Sequence, residues 1–293
     1  MDAMFCGVGC ALVTPFRDGQ VDYDAFRALI DRQTAAGTDA LAVLGTTGEP
    51  STLTEEEMCA IVRCARAEAP GSVPVIAGVC ANATQTAVKR ARLMRDCGAD
   101  ALLCVTPYYN RANQEGLIRH FTEVADAAEA PVILYNVPSR TGVNLLPETA
   151  EALSRHPNIR GLKEANPDIS QLAAGISACG DDFSVYAGND ELIPAAVSMG
   201  ARGVISVIAN VAPAETNALA RAALSGDRKR TIDLYYRLWP LMRALASDVN
   251  PIPVKAALGM MGVISDEPRL PLTPLSADKR AALRRALAAC GLA

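Results

Sequence analysis

One unit returns eight times along this chain: a short apolar run, a polar or Gly/Pro-marked loop, then an amphipathic stretch rich in Ala, Leu and Arg. The apolar runs lie at 7–13, 40–44, 73–78, 101–105, 131–135, 159–163, 183–187 and 203–207, with successive starts roughly 20–33 residues apart. Short runs that are largely apolar on both faces, rather than alternating, are the pattern of strands buried on both faces. The gaps leave room for the crossover helix that parallel neighbours require. Helical faces stand out at 23–36, 54–69, 83–97 and 114–127. Eight such units in 293 residues predict an α/β fold, a closed (β/α)8 barrel rather than an open sheet.

Beyond Ala209-Asn210 the pattern changes to helices at 213–224, 228–246, 251–261 and 277–289, broken by Ser225-Gly226-Asp227, Asn250-Pro251 and a Pro-rich stretch over 268–274. The first of these completes the barrel. The expected organisation is a catalytic barrel over 1–226 and a helical C-terminal appendage over 227–293.

The formal charge is −4, and the only cluster of basic residues is Arg228-Lys229-Arg230, read as a solvated helix start. Nucleic acid is therefore not an expected partner. There is no charged-then-apolar leader, and no apolar run approaches the ~20 residues of a membrane span, so a cytoplasmic protein without membrane partners is expected. The nine cysteines are odd in number and form no Cys-x-x-Cys pair, which reads as buried free thiols in a reducing compartment. With His120 and His156 the only histidines, a histidine-rich metal barrel is excluded.

In a barrel of this kind the chemistry sits at the C-terminal ends of the strands. Those positions hold Thr14-Pro15-Phe16, Gly45-Thr46-Thr47-Gly48-Glu49, Thr106-Pro107-Tyr108-Tyr109-Asn110, Tyr135-Asn136-Val137-Pro138-Ser139-Arg140, Lys163, Gly188-Asn189-Asp190 and Ile205-Ser206. Hydroxyls and one amine crowd one face, with few carboxylates. Of the five lysines, Lys89, Lys229, Lys255 and Lys279 lie in helical or polar segments, where an ammonium can stay in water; Lys163 alone is expected to aim inward. Desolvation there favours the free amine, a nucleophile toward a carbonyl carbon. Lowering its pKa from ~10.4 to ~7–8 means disfavouring the ammonium by roughly 3–5 kcal/mol.

Each position also has a plainer reading. Lys163 can snorkel out of the strand or pair with Glu164. Gly-Thr-Thr-Gly can be a tight turn, or a cradle whose hydroxyls and amides hold a carboxylate. Tyr108-Tyr109 can be a packing pair or an interface plug, Arg140 a surface residue or a carboxylate fork, and Thr14-Pro15 a strand terminator. Their joint placement on successive strand ends is what the separate plain readings leave unexplained.

At Gly45-Thr46-Thr47-Gly48-Glu49, Pro107-Tyr108-Tyr109-Asn110, Tyr135-Asn136-Val137-Pro138-Ser139-Arg140-Thr141-Gly142, Gly161-Leu162-Lys163 and Gly203-Val204-Ile205-Ser206, the chain resembles the dihydrodipicolinate synthase family. That family lies within the pyruvate-dependent Schiff-base aldolases, which include N-acetylneuraminate lyase. The resemblance runs the whole length of the chain. It implies that Lys163 forms an imine with pyruvate and that the enamine attacks L-aspartate 4-semialdehyde, with no cofactor and no metal. It further implies that Thr47 holds the pyruvate carboxylate and that Tyr135, Thr46 and Tyr109 relay protons, Tyr109 reaching in from a neighbouring subunit. Arg140 would bind the second carboxylate, and Gly188 and Ile205 would line the pocket. A homo-oligomer is implied, a tetramer built as a dimer of tight dimers.

Other readings are a lyase of N-acetylneuraminate or 2-oxo-3-deoxy sugar acids, a pyridoxal-phosphate barrel, and a binder without activity. Arg140 speaks against the first, because a neutral polyol aldehyde needs no second guanidinium. The second lacks an evident phosphate cradle, and a binder has no use for a low-pKa amine.

In one respect the chain departs from the lysine-inhibited members of that family. Glu55 and Met58 stand where sensitive bacterial enzymes often carry histidines, and Asn82-Ala83-Thr84 is followed by Gln85-Thr86 with no acid to grip an effector amine. The missing charge-assisted hydrogen bond is worth ~1.5–3 kcal/mol. L-Lysine is therefore expected to inhibit weakly or not at all; an inhibition constant in the low micromolar range would contradict this.

Overall fold

The computed structural model describes residues 4–292. Eight parallel strands close into a barrel in sequence order: β1 (Gly7–Ala11), β2 (Ala40–Val43), β3 (Val75–Val79), β4 (Ala101–Val105), β5 (Val132–Asn136), β6 (Ile159–Glu164), β7 (Ser184–Ala187) and β8 (Gly203–Ser206), with β8 pairing back on β1. The helices between and after them are α1 (Tyr23–Ala35), α2 (Glu55–Glu68), α3 (Thr84–Asp96), α4 (Gln114–Ala128), the one-turn α5 (Pro138–Thr141), α6 (Pro147–Ser154), α7 (Ile169–Cys179), α8 (Ile193–Ser198), α9 (Pro213–Leu224), α10 (Arg228–Leu245), α11 (Ile252–Met260) and α12 (Ala277–Ala289). The expected (β/α)8 barrel is thus present, and every predicted strand overlaps an observed one. A two-stranded ribbon, Phe16–Arg17 with Gln20–Val21, follows β1 and was not predicted; two-residue strands carry no periodicity to read.

Strand alternation divides the core in two. Inward residues form a small-residue and aromatic interior of Ala11, Ala40, Ala42, Ala101, Ile133, Tyr135, Ala165, Tyr186 and Ile205, among others. Outward residues such as Val8, Leu41, Leu102, Leu134 and Leu162 join the larger layer between strands and helices. Phe5 stacks on Tyr186 at 4.2 Å between ring centroids and closes the N-terminal end.

The pairing of β5 with β6 is where this alternation decides which way Lys163 points. Val132 pairs with Ile159 but Ile133 pairs with Gly161, so the register skips Arg160. Beyond that bulge Tyr135 faces Lys163. Without it Tyr135 would face Leu162, and the lysine would point out among the helices, because a one-residue slip exchanges the faces of a strand.

The C-terminal helices pack back on the barrel: α10 lies against α9 and α12, and α11 against α12. Arg228-Lys229-Arg230 starts α10 and is exposed, as expected. All nine cysteines are free, but Cys6 is exposed and Cys59, Cys64, Cys80 and Cys179 are only half-buried, so the expectation that all are buried is corrected. No helix among the described residues is long and apolar enough to cross a membrane.

The seam between β8 and β1 sets Gly203 opposite Gly7. Gly203 has φ +150°, and a Cβ there would lie 1.9 Å from the Gly7 carbonyl oxygen. Gly203→Ala must therefore push the seam apart, and we expect it to lower stability by about 3 kcal/mol, measured by denaturant unfolding.

Candidate active site

Lys163 is 5% exposed and points into the C-terminal mouth of the barrel, its Nζ 4.5 Å from the centroid of the Tyr135 ring. Glu164, the next residue, takes the opposite face, so the alternative of a Lys163–Glu164 pair is ruled out by geometry. The Glu164 carboxylate is buried outside the barrel. Its Oε1 accepts from the Asn166 amide at 2.7 Å and from Asn136 Nδ2 at 3.0 Å, and its Oε2 accepts from Gln171 Nε2 at 2.9 Å. Asn144 ties Asn136 and Gln171 together. Burial pushes the Glu164 carboxyl up, and these donors oppose the shift.

A cleft of about 280 Å³ opens above Lys163, lined among others by Thr47, Tyr135, Arg140, Gly188, Asp190 and Asn250. The structure thus gathers Lys163, Tyr135, Thr47, Arg140 and Gly188 in one place. Gly188 must be glycine here: a Cβ would lie 2.6 Å from the Ala165 Cβ. Thr46 lines an adjoining cavity of about 270 Å³ with Tyr108, and Arg140 and Asn250 border both spaces. Ile205 is fully buried in the barrel interior and is not among the residues lining the cleft. Tyr109 is 89% exposed, with φ +75°, and turns away from the cleft of its own chain.

Thr46 and Thr47 ride on a 3₁₀ turn, Thr46–Gly48, that Glu49 ends in the left-handed region (φ 53°), while Leu44, two residues before the turn, also has a positive φ (57°). Such backbone persists only where its surroundings hold it. Thr14 donates to the Gly48 carbonyl at 2.8 Å, so it does more than end a strand. Asn250 Nδ2 donates to Thr47 Oγ1 at 2.9 Å, and the Asn250 carbonyl accepts from Arg140 at 3.4 Å.

Three features were missed from sequence. Glu191 joins Asp190, which was already named at a strand end, to put two carboxylates in the cleft wall, where few acids were expected. Asp190 Oδ2 accepts from the Val207 and Ile208 amides at 3.0 and 2.9 Å. Burial pushes its carboxyl up, while Ser206, these amides and the Lys163 ammonium hold it down. Asn250 was read only as a helix break. Lys255 corrects the expectation that Lys163 alone aims inward: it is 0% exposed, with Nζ 2.5 Å from Glu49 Oε1. Burial pulls its ammonium down, and Glu49 pushes it back up. Its helix, Ile252–Met260, is apolar nearly all round, the signal that it is buried. Among the described residues no group of three or more His, Cys, Asp or Glu is placed to hold a metal.

The family model described as the dihydrodipicolinate synthetase family matches residues 4–290. The chain belongs to the dihydrodipicolinate synthetase family. A curated 4-hydroxy-tetrahydrodipicolinate synthase from Caldicellulosiruptor saccharolyticus is 46% identical over 290 residues, 99% of this chain and 98% of that relative. One from Exiguobacterium sibiricum is 49% identical over 270 residues, 92% of each. Among solved structures, dihydrodipicolinate synthase from Thermotoga maritima superposes with a TM-score of 0.97, at 42% identity over 99% of this chain and 100% of that one. The enzyme from Cyanidioschyzon merolae with lysine bound is 37% identical, with a TM-score of 0.96 and full coverage of both chains, 100% each.

The Glu164 cluster yields a test. All its partners are donors, so Glu164→Gln turns an amide N–H₂ toward another donor. A loss of about 1–3 kcal/mol is expected, measured by denaturant unfolding, even though the substitution removes a buried charge.

Proposed function

We propose that the cleft forms an imine between Lys163 and pyruvate and adds the resulting enamine to L-aspartate 4-semialdehyde. The enzyme is a lyase with 4-hydroxy-tetrahydrodipicolinate synthase activity, in lysine and diaminopimelate biosynthesis, as its family and its relatives' identities support. The observation that carries the residue-level reading is the buried amine of Lys163 facing the Tyr135 ring, at the floor of a cleft walled by Thr47 and Arg140.

In this reading the Lys163 amine attacks the pyruvate ketone, and the carbinolamine loses water to give the imine. Tyr135, with Thr46 and a Tyr109 from a neighbouring copy, passes the protons. Thr47 holds the pyruvate carboxylate. Loss of a methyl proton gives the enamine, whose carbon bonds to the aldehyde carbon of the semialdehyde. The semialdehyde's own amine then displaces Lys163 from the imine and closes the ring, so one water leaves over the whole reaction. Arg140 takes the semialdehyde's carboxylate. Gly188 and Ile205 shape the pocket, Gly188 from its wall and Ile205 from beneath. No separate cofactor is needed, since the substrate itself becomes the electron sink.

The exposure of Tyr109 supports a shared site, hence the homo-oligomer, a dimer of tight dimers. A soluble cytoplasmic location fits the free cysteines. The division at 226/227 is kept as a catalytic barrel and an appendage that also reaches the cleft through Met242, Leu245 and Asn250. Weak lysine feedback is supported by Glu55, which is engaged by Lys89 at 2.8 Å, and by the burial of Met58.

Borohydride reduction in the presence of pyruvate is expected to add one pyruvyl mass to the protein, mapping to Lys163. An unmodified protein, or an adduct on another lysine, would overturn the mechanism. Arg140→Ala should still trap pyruvate but lose on the order of 10²-fold in kcat/KM for the semialdehyde, as removal of a charged hydrogen-bond partner of ~1.5–3 kcal/mol implies. Steady-state assays with each substrate varied separate the two effects.

A further inference from the structure

Lys255 is fully buried and is not among the residues lining the Lys163 cleft, yet its ammonium is spent on the loop that forms one wall of that cleft. Its Nζ donates to Glu49 Oε1 at 2.5 Å and to the Glu267 carbonyl at 2.9 Å, and lies 4.0 Å from the centroid of the Phe16 ring. The other Glu49 oxygen accepts from the Arg269 amide at 3.1 Å. Glu49 follows Thr46-Thr47-Gly48 directly and holds the left-handed conformation that ends their turn. The turn's other side-chain anchors, Thr14 on the Gly48 carbonyl, Thr52 on the Glu49 carbonyl and Asn250 on Thr47, are single hydrogen bonds between neutral groups.

A buried ion pair of this kind is a weak device for stability, since a well-packed apolar pair of similar volume often serves as well. It does supply direction: a carboxylate held between Nζ and a backbone amide has one place to be. The turn needs that constraint, because Glu49, which ends it, and Leu44, two residues before it, both lie in the left-handed region without being glycine.

We propose that Lys255 and Glu49 are a positioning pair, through which α11 sets Thr46 and Thr47 against Lys163 and so fixes the affinity of the site for pyruvate. This rests on the reading of Lys163 and Thr47 given above. Neither member of the pair is assigned contact with a reacting atom.

The test is borohydride trapping on Lys163 as a function of pyruvate concentration, followed by intact mass and peptide mapping, together with the thermal midpoint. It uses wild type, Lys255→Met and the double variant Glu49→Leu/Lys255→Met. Lys255→Met is expected to raise the pyruvate concentration for half-trapping at least tenfold and to lower the thermal midpoint. The double variant, with no buried charge left unpaired, is expected to regain thermal stability but keep the raised half-trapping concentration. A double variant that traps pyruvate at wild-type concentrations would show that the pair serves packing only, and would overturn the proposal. If Lys255→Met does not fold, the double variant decides by the same criterion. Failure of wild type to trap pyruvate on Lys163 sinks the underlying reading and this inference with it, whereas wild-type trapping with an unshifted double variant sinks the inference alone.

Discussion

Side-chain parity on a closed parallel barrel is the constraint on which everything else here depends. Each strand offers its residues alternately to the interior and to the helices, and closure leaves no edge at which a wrong register can be relieved. The skip at Arg160 exchanges the faces of the rest of β6. It turns Lys163 inward, Glu164 outward and Leu162 to the helix layer. One extra residue thus separates a lysine at the mouth of the barrel from one trapped behind it.

That parity also decides how buried charge is handled. Glu164, facing out, is surrounded by amide donors from Asn136, Asn166 and Gln171. Asp190, in the cleft wall, is met by two backbone amides. Glu49 is met by a lysine. Three carboxylates near one site therefore meet three different kinds of partner, with Asp190 Oδ1 left buried and without a hydrogen bond, and none of them forms an ion pair with Lys163. The amine is left facing an aromatic ring and open space, which suits attack on a carbonyl better than a salt bridge would.

The architecture was legible because it is carried by local pattern. The helices expected at 213–224 and 277–289 match their observed limits, and all eight apolar runs contain strand. Thr47, Tyr135, Arg140, Lys163 and Gly188 were legible because strand ends in a barrel converge by topology alone. What escaped depends on docking of distant segments. Asn250 reaches Thr47 across 203 residues of sequence, and Lys255 reaches Glu49 across 206. No spacing rule connects such positions. Lys255 was misread because a single lysine in a helix is ordinarily solvated; the apolar residues all around it were the better guide. The ribbon at Phe16–Arg17 was too short to announce itself.

The reach of Asn250 to Thr47 also orders events in time. The last barrel strand ends at Ser206, so a chain emerging from the ribosome can close its barrel well before Asn250 and Lys255 exist to brace the Thr46–Thr47 turn. Lys163 is therefore made early, and the contacts that hold the Thr46–Thr47 turn come last. In the reading proposed above, a chain cut short of α11 would keep Lys163 but lose the Asn250 and Lys255 contacts to the turn that carries Thr47.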